Sequence, residues 1–199
     1  MRRLIAAALC LSLAACMTAG RRGADAAPAV YDWGPARAVA GVSRPVPMAL
    51  EVTASPWFDT TGLDYRLAYA DPARLREYAQ ARWAAPPAQL VQQRLAGRLG
   101  LIAAGVGRAD CLLRLEIGEF SQVFASPESS RGVLQGRVAL FDRSRRLLAA
   151  LPVDIAMPAA TPDARGGVGA LGDAVDRLAD AISAWEASLA DGAASGCFR

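Results

Sequence analysis

The sequence predicts a single α/β domain of the α+β kind: a mixed or antiparallel sheet with two main helices packed on it. Three observations lead there. Apolar and polar residues alternate with period two along 46–54, 63–69, 111–117 and 147–157. Two other stretches repeat at three- and four-residue steps, one following Pro86-Pro87 and one from Val168 to Leu189. The order is strands, helix, strands, helix, and each element has one apolar side that must be hidden against another. No internal repeat is visible.

Each element has its own signal. "YDWGP" (31–35) reads as a short strand ended by Gly34-Pro35, and opens the folded part. Val46, Met48, Leu50, Val52 and Ala54 then alternate with Glu51 and Thr53, the pattern of a half-buried strand. Leu63, Tyr65, Leu67 and Tyr69 alternate with Asp64 and Arg66. "DPAR" (71–74) reads as a turn and "LREYAQARW" (75–83) as the returning strand, with a helix as the alternative. Pro86-Pro87 opens a helix, because proline is tolerated in a first turn. Its apolar side is Val91, Leu95, Leu99 and Ile102, and Arg94 and Arg98 read as a solvated face. Beyond the turn "GVGRAD" (105–110), Cys111, Leu113, Leu115 and Ile117 point one way and Arg114 and Glu116 the other. "SPESSRG" (126–132) is long enough to be a mobile loop. "VLQGRVALF" (133–141) is a strand, "DRSR" (142–145) a turn, and Leu147 to Met157 a strand with apolar residues at every odd position. Val168, Leu171, Val175, Leu178, Ile182, Trp185 and Leu189 form the stripe of a final helix. A coiled coil would also fit that stripe; Ala-rich flanks make packing on a sheet the simpler reading.

The first residues follow different rules. Arg2-Arg3 precede an apolar run from Leu4 to Ala15, too short for a bilayer core that needs ~20 residues. A charged start, a short apolar middle and small residues at the end make a secretory signal. "LAAC" (13–16) has the form of a bacterial lipobox, in which Cys16 is acylated and becomes the first residue of the mature chain. Cys10 fits less well, since bulky Leu9 would occupy the cleavage position. An ordinary signal peptide with an incidental cysteine is the alternative. The expected organisation is therefore a signal peptide at 1–15, a lipidated tether at 16–29 and one domain at 30–199. The Ala/Gly/Arg-rich stretch 17–29 reaches at most ~45 Å at ~3.5 Å per residue.

Composition removes several function classes. The formal net charge is +3. Loss of Arg2 and Arg3 leaves +1, no electrostatic footprint for nucleic acid. There is no histidine, hence none of the commonest general base or metal ligand. "GVGALG" (167–172) matches the dinucleotide G-x-G-x-x-G, but no strand follows its helix, so it reads as a flexible helix start. Ser126, Ser129 and Ser130 have neither histidine nor lysine to activate them. Glu116 and Glu119 are expected on opposite strand faces as surface charge. No enzyme, metal or cofactor is expected.

Several stretches taken together carry a resemblance. They are the lipobox at Cys16, "YDWGP", residues 64–95 with Tyr78, Trp83 and Pro86-Pro87, "LRLEIGEFSQVFASPESS" (113–130) and "ALGDAVDRLADAISAW" (170–185). In that order they resemble the ABC-type transport auxiliary lipoproteins, the PqiC-like family, over most of residues 30–189. The resemblance implies a fold like the N-terminal domain of TolB and no enzymatic site. It further implies a lipoprotein at the periplasmic face of the outer membrane that accompanies an MCE-type lipid transport system, with an MCE-domain protein as partner. An outer-membrane scaffold or assembly lipoprotein outside MCE transport is the alternative, and self-association is left open. Met17, in place of Asp after the acylated cysteine, agrees with outer-membrane sorting.

Three further expectations concern particular residues. Phe120, Val123 and Phe124 leave the strand 111–119 and are candidates for the partner surface, core packing being an equal alternative. Trp83 and Tyr78 are expected to serve the fold, with a large ring covering the first helix turn where proline removes N–H donors. With Cys16 taken by lipid, Cys111 and Cys197 remain, and an even remainder in an oxidising compartment invites a disulfide. The alternative is a buried thiol at 111 and an idle one in the tail.

Overall fold

The computed structural model describes residues 27–35, 44–192 and 194–198. The signal, most of the tether and Cys16 lie outside the described residues. The chain runs β1 (Ala29–Tyr31), β2 (Met48–Ala54), β3 (Gly62–Leu67), β4 (Asp71–Trp83), α1 (Pro87–Leu99), β5 (Ile102–Ala103), β6 (Cys111–Ser126), β7 (Ser129–Phe141), β8 (Leu147–Pro158) and α2 (Ala164–Leu189). The strands form one mixed sheet, and both helices pack on one face of it around a single apolar core.

β6 is the strand on which the others are ordered. β7 lies antiparallel along its whole length, and β8 pairs outside β7. On the other edge β6 receives two strands in tandem. β2 runs parallel to its first half, from Met48 opposite Cys111 to Ala54 opposite Ile117. β3 runs parallel to its second half, from Tyr65 opposite Gln122 to Leu67 opposite Phe124. The Ser55 N–H donates to the Ile117 carbonyl (2.9 Å) where one strand gives way to the next. β5 extends the β2 side, and β4 then β1 extend the β3 side.

Several boundaries differ from the sequence expectations. The chain reverses at Ala68–Ala70, so Tyr69 sits exposed in a turn and "DPAR" already belongs to β4. Pro72 is tolerated there because the pairing jumps from Leu75 opposite Arg66 to Asp71 opposite Leu67, leaving 72–74 without ladder partners. α1 stops at Leu99 because Gly100 takes a left-handed conformation (φ 63°). Ile102 therefore belongs to β5. The stretch "SPESSRG" is a tight hairpin, with only Pro127 and Glu128 between β6 and β7.

β1 ends at Tyr31, and Trp33 folds back over α2. Its indole N–H donates to the Val168 carbonyl (3.0 Å), and its ring meets Trp83 and Phe120 edge-on at 5.2 and 6.3 Å. α2 opens at Asp163, whose carboxylate accepts the Gly166 N–H. The glycines of "GVGALG" lie inside this helix and are no flexible start. A Cβ on Gly172 would stand 3.0 Å from the Trp33 indole nitrogen, so the side chain is absent where the ring must seat.

The two helices are joined by charge. Arg94 makes a two-pronged contact with Asp176 at 2.7 and 2.8 Å, and Arg98 reaches Asp176 and Asp180. The arginine pair expected on a solvated face therefore tethers α1 to α2, and Arg94 also lies 5.5 Å above the Trp33 ring. Cys111, at the start of β6, is disulfide-bonded to Cys197 in the turn after α2, with Cα atoms 5.8 Å apart. Both cysteines are buried.

Trp83 is 1% exposed at the centre of this packing. Trp83→Ala is expected to cost ~3–5 kcal/mol, the usual toll for deleting a buried indole, read as a lower Tm and lower steady-state level. Peptide mapping without reductant is expected to recover the fragments holding Cys111 and Cys197 as one linked species, separated by reduction.

Candidate functional site

The sheet has one face under the helices and one without helix cover, and β6 decides which residues reach each. In its first half Cys111, Leu113, Leu115 and Ile117 face the helices. Ile117 pairs with Gly136 and Glu119 with Gln135, so Gly118 is one residue too many. Such a bulge reverses the alternation. Beyond it Phe120, Gln122 and Phe124 are the inward residues. Phe120 is 1% exposed and Phe124 6%, so neither is available to a partner. Val123 faces outward beside Arg66 and is half-buried. The same bulge places Glu116 and Glu119 on one face, where strict alternation would have parted them.

Beneath α2 the inward polar residues satisfy one another. The Tyr78 hydroxyl donates to Gln122 Oε1 (2.9 Å), and the Gln122 amide donates to Ser130 Oγ (2.7 Å). Burial pushes the Tyr78 hydroxyl above its ordinary pKa, so it stays a donor. This chain of contacts locks three strands together.

The helix-free face carries a different arrangement. Arg66 on β3 donates from Nε and Nη2 to the two Glu119 carboxylate oxygens (3.1 and 2.9 Å). Its Nη1 donates to the carbonyls of Pro72 and Ala73, holding the unpaired part of β4. Ser121 also donates to Glu119. Two residues before Arg66 sits Asp64, 8% exposed, directly opposite Glu77 on β4. No hydrogen-bond donor among the described residues reaches the Asp64 carboxylate. Its pKa is raised from 3.8 to about 7, chiefly by burial, then by Glu77 and by Glu119; Arg66 opposes the shift without cancelling it. Glu77, by contrast, is exposed.

Two other places gather charged side chains. At the far end of the sheet a shallow recess of about 260 Å³ lies between the 104–110 loop and the β7–β8 turn, lined by Asp110, Arg143 and Arg145 among others. Arg143 is paired with Asp110 across it (3.5 Å). Behind α1, Arg44 grips Glu186 of α2 through both oxygens (3.2 and 2.8 Å) and donates to the Leu99 carbonyl, a structural clasp. Among the described residues no group of three or more His, Cys, Asp or Glu is arranged to hold a metal ion.

Sequence reasoning missed Asp64. Alternation placed it correctly on the outward side of β3, but outward normally means solvated. Its burial comes from the neighbouring strands, and no local pattern announces that.

The family model for the ABC-type transport auxiliary lipoprotein component matches residues 35–183. Among solved structures the chain is similar to protein XCC0632 from Xanthomonas campestris, assigned to the DUF330 family. The TM-score is 0.61 at 16% identity, covering 80% of this chain and 91% of that one. An uncharacterized protein is similar at TM-score 0.63 and 14% identity, covering 79% and 97%. At such identities the likeness concerns the fold. No curated protein matches the sequence.

The raised Asp64 pKa fixes the sign of one pH effect. Between 3.8 and about 7 the folded chain binds more protons than the unfolded one at this position. The contribution of Asp64 is therefore fully present below pH ~4 and is lost as pH rises through ~7. Denaturant titrations at pH 5 and pH 8 are expected to show Asp64→Asn gaining more stability over the parent at pH 8 than at pH 5. Equal effects at both pH values would contradict the assignment.

Proposed function

The chain belongs to the family of ABC-type transport auxiliary lipoprotein components, and from that premise we propose that it is a non-catalytic accessory subunit of an MCE-type lipid transport system, anchored at the periplasmic face of the outer membrane. The observation that carries the reading is the family match over 35–183, joined to the "LAAC" lipobox that ends at Cys16. The two belong together physically. Acyl chains on Cys16 exceed the two-signal threshold for stable membrane attachment. The tether then keeps the domain within ~45 Å of the bilayer.

The folded domain suits a docking role. Most of its large apolar groups are spent on the core, with Trp57, Tyr69 and Val106 among those left exposed, and the polar residues Tyr78, Gln122 and Ser130 satisfy one another. The sequence has no histidine, the commonest general base. What remains for recognition is the outward side of the strands and the turns at the sheet ends. The partner of this reading is the MCE-domain protein of the transporter, reached across the periplasm. Lipid is the cargo of the whole assembly.

Cys16→Ala is expected to abolish labelling with a fatty-acid probe and to release the protein from the membrane fraction, or leave it unprocessed. Crosslinking in intact envelopes followed by capture through this protein is expected to recover an MCE-domain protein. Persistent labelling of the variant would remove the anchor from the proposal, and failure to recover an MCE-domain protein would remove the partner.

A further inference from the structure

Beyond its outward side and its turns, a sheet ends in edges, where backbone N–H and C=O groups lack a neighbour. The edges of this sheet are not alike. β5 covers the start of β2, and beyond it Gln92 of α1 accepts the Val52 N–H (3.0 Å). β8 is long but guarded: Pro152 and Pro158 stand in its ladder, opposite Arg137 and Arg131, and neither can donate to a strand added outside. β4 has no such guard. β1 covers its edge only from Ala81 to Trp83, in parallel register, and among the described residues no other strand joins it there. Leu75 to Gln80 is thus a free run in which every residue is exposed or half-buried and none is proline.

The same run holds a side chain without a partner. Arg76 lies opposite Tyr65, whose ring meets Tyr78 and Phe124, so Arg76 is on the helix side of β4. Its Nε is the one buried side-chain nitrogen or oxygen among the described residues that makes no hydrogen bond. A buried donor left unmatched loses its hydration and gains nothing in return. The surrounding carboxylates do not supply the match. Glu77 and Asp64 face each other on the opposite side of the sheet. Glu119 is held by Arg66. Asp163, at the start of α2, accepts the Gly166 N–H and the Thr161 hydroxyl. Asp71 stands opposite Leu67, beyond the unpaired stretch 72–74. Along β4 Arg74, Arg76 and Arg82 oppose Asp71 and Glu77, and on β3 Arg66 cancels Asp64, leaving a surplus of one positive charge.

We propose that the free edge of β4 between Leu75 and Gln80 receives an extended segment of the protein partner, which adds as a strand outside β4 and sets a carboxylate against Arg76. The inference rests on the docking reading above and names the surface and the chemistry of the contact. Two observations select the occupant. β1 shows that this edge accepts a strand, and the free run continues directly from it. The unpaired guanidinium selects an acidic side chain, to whose oxygens it offers parallel donors. Main-chain bonds along the run give attachment, and the Arg76 pair fixes the register.

The test uses the full-length lipoprotein in intact envelopes, with a photo-crosslinking residue in place of the exposed Ala79. The expected result is capture of the MCE-domain protein, lowered about tenfold by Arg76→Ala, the scale of one charge-assisted hydrogen bond. A second arm follows amide hydrogen exchange of the parent lipoprotein in detergent, with and without the purified MCE-domain protein. Slowed exchange over 75–80 is expected, and this arm decides the matter if Arg76→Ala does not fold. Undiminished capture by folded Arg76→Ala overturns the proposal, since Arg76 then merely guards the edge. Unchanged exchange over 75–80 with the partner bound overturns it too, as does a crosslink from position 79 only to a second copy of this chain. In each of these cases the docking reading stands if envelope crosslinking elsewhere on the protein recovers the MCE-domain protein. Failure to recover that protein from any position counts against both.

Discussion

The single surplus residue in β6 is the constraint on which most of the architecture depends. Gly118 has no partner of its own on β7, and by being there it turns the second half of the strand over. Without it Phe120, Gln122 and Phe124 would face outward, and Glu119, Ser121 and Val123 would be driven under the helices. The aromatic cluster of Trp33, Trp83 and Phe120 would lose one of its three rings. Arg66 would lose its carboxylate. The break also coincides with the place where β2 ends and β3 takes over along the same edge, so each half of β6 has its own neighbour and its own parity.

What the sequence announced and what it concealed divide along that line. Strands with uninterrupted alternation, such as 111–117 and 147–157, were legible because one face is apolar throughout. α2 was legible because its stripe is long and regular. The residues past Gly118 were not, because a reader extending the alternation places every later side chain on the wrong side. Phe120 and Phe124, offered equally to a partner surface and to the core, are turned to the core by this bulge. Turn assignments failed for another. "DPAR" and "SPESSRG" have turn chemistry, yet Pro72 is accommodated in a part of β4 freed from pairing, and the hairpin after Ser126 needs only two residues.

Charge partnerships were the least legible feature. Arg94 and Arg98 are four residues apart on one helix, a spacing that ordinarily means a wet surface. Their acids lie on α2, 82 residues away in sequence. Arg44 and Glu186 are separated by 142 residues. Arg66 and Glu119 meet only because the bulge turns Glu119 outward. In each case the partner is chosen by topology, and Asp64 is the residue that topology buries without choosing one. Near-neutral net charge thus conceals long-range pairs that hold the helices and strands.

The bond between Cys111 and Cys197 closes the polypeptide into a loop spanning 86 residues. Inside that loop lie β6, β7, β8 and α2, consecutive in the chain and packed on one another. The protein is thus a covalent ring with a linear N-terminal arm, the arm supplying β1 to β5 and α1. A protease that cuts once within the ring leaves every strand of it attached, whereas a single cut in the arm severs whatever precedes it. The part of the molecule that would carry a membrane anchor is consequently the part that one nick can detach.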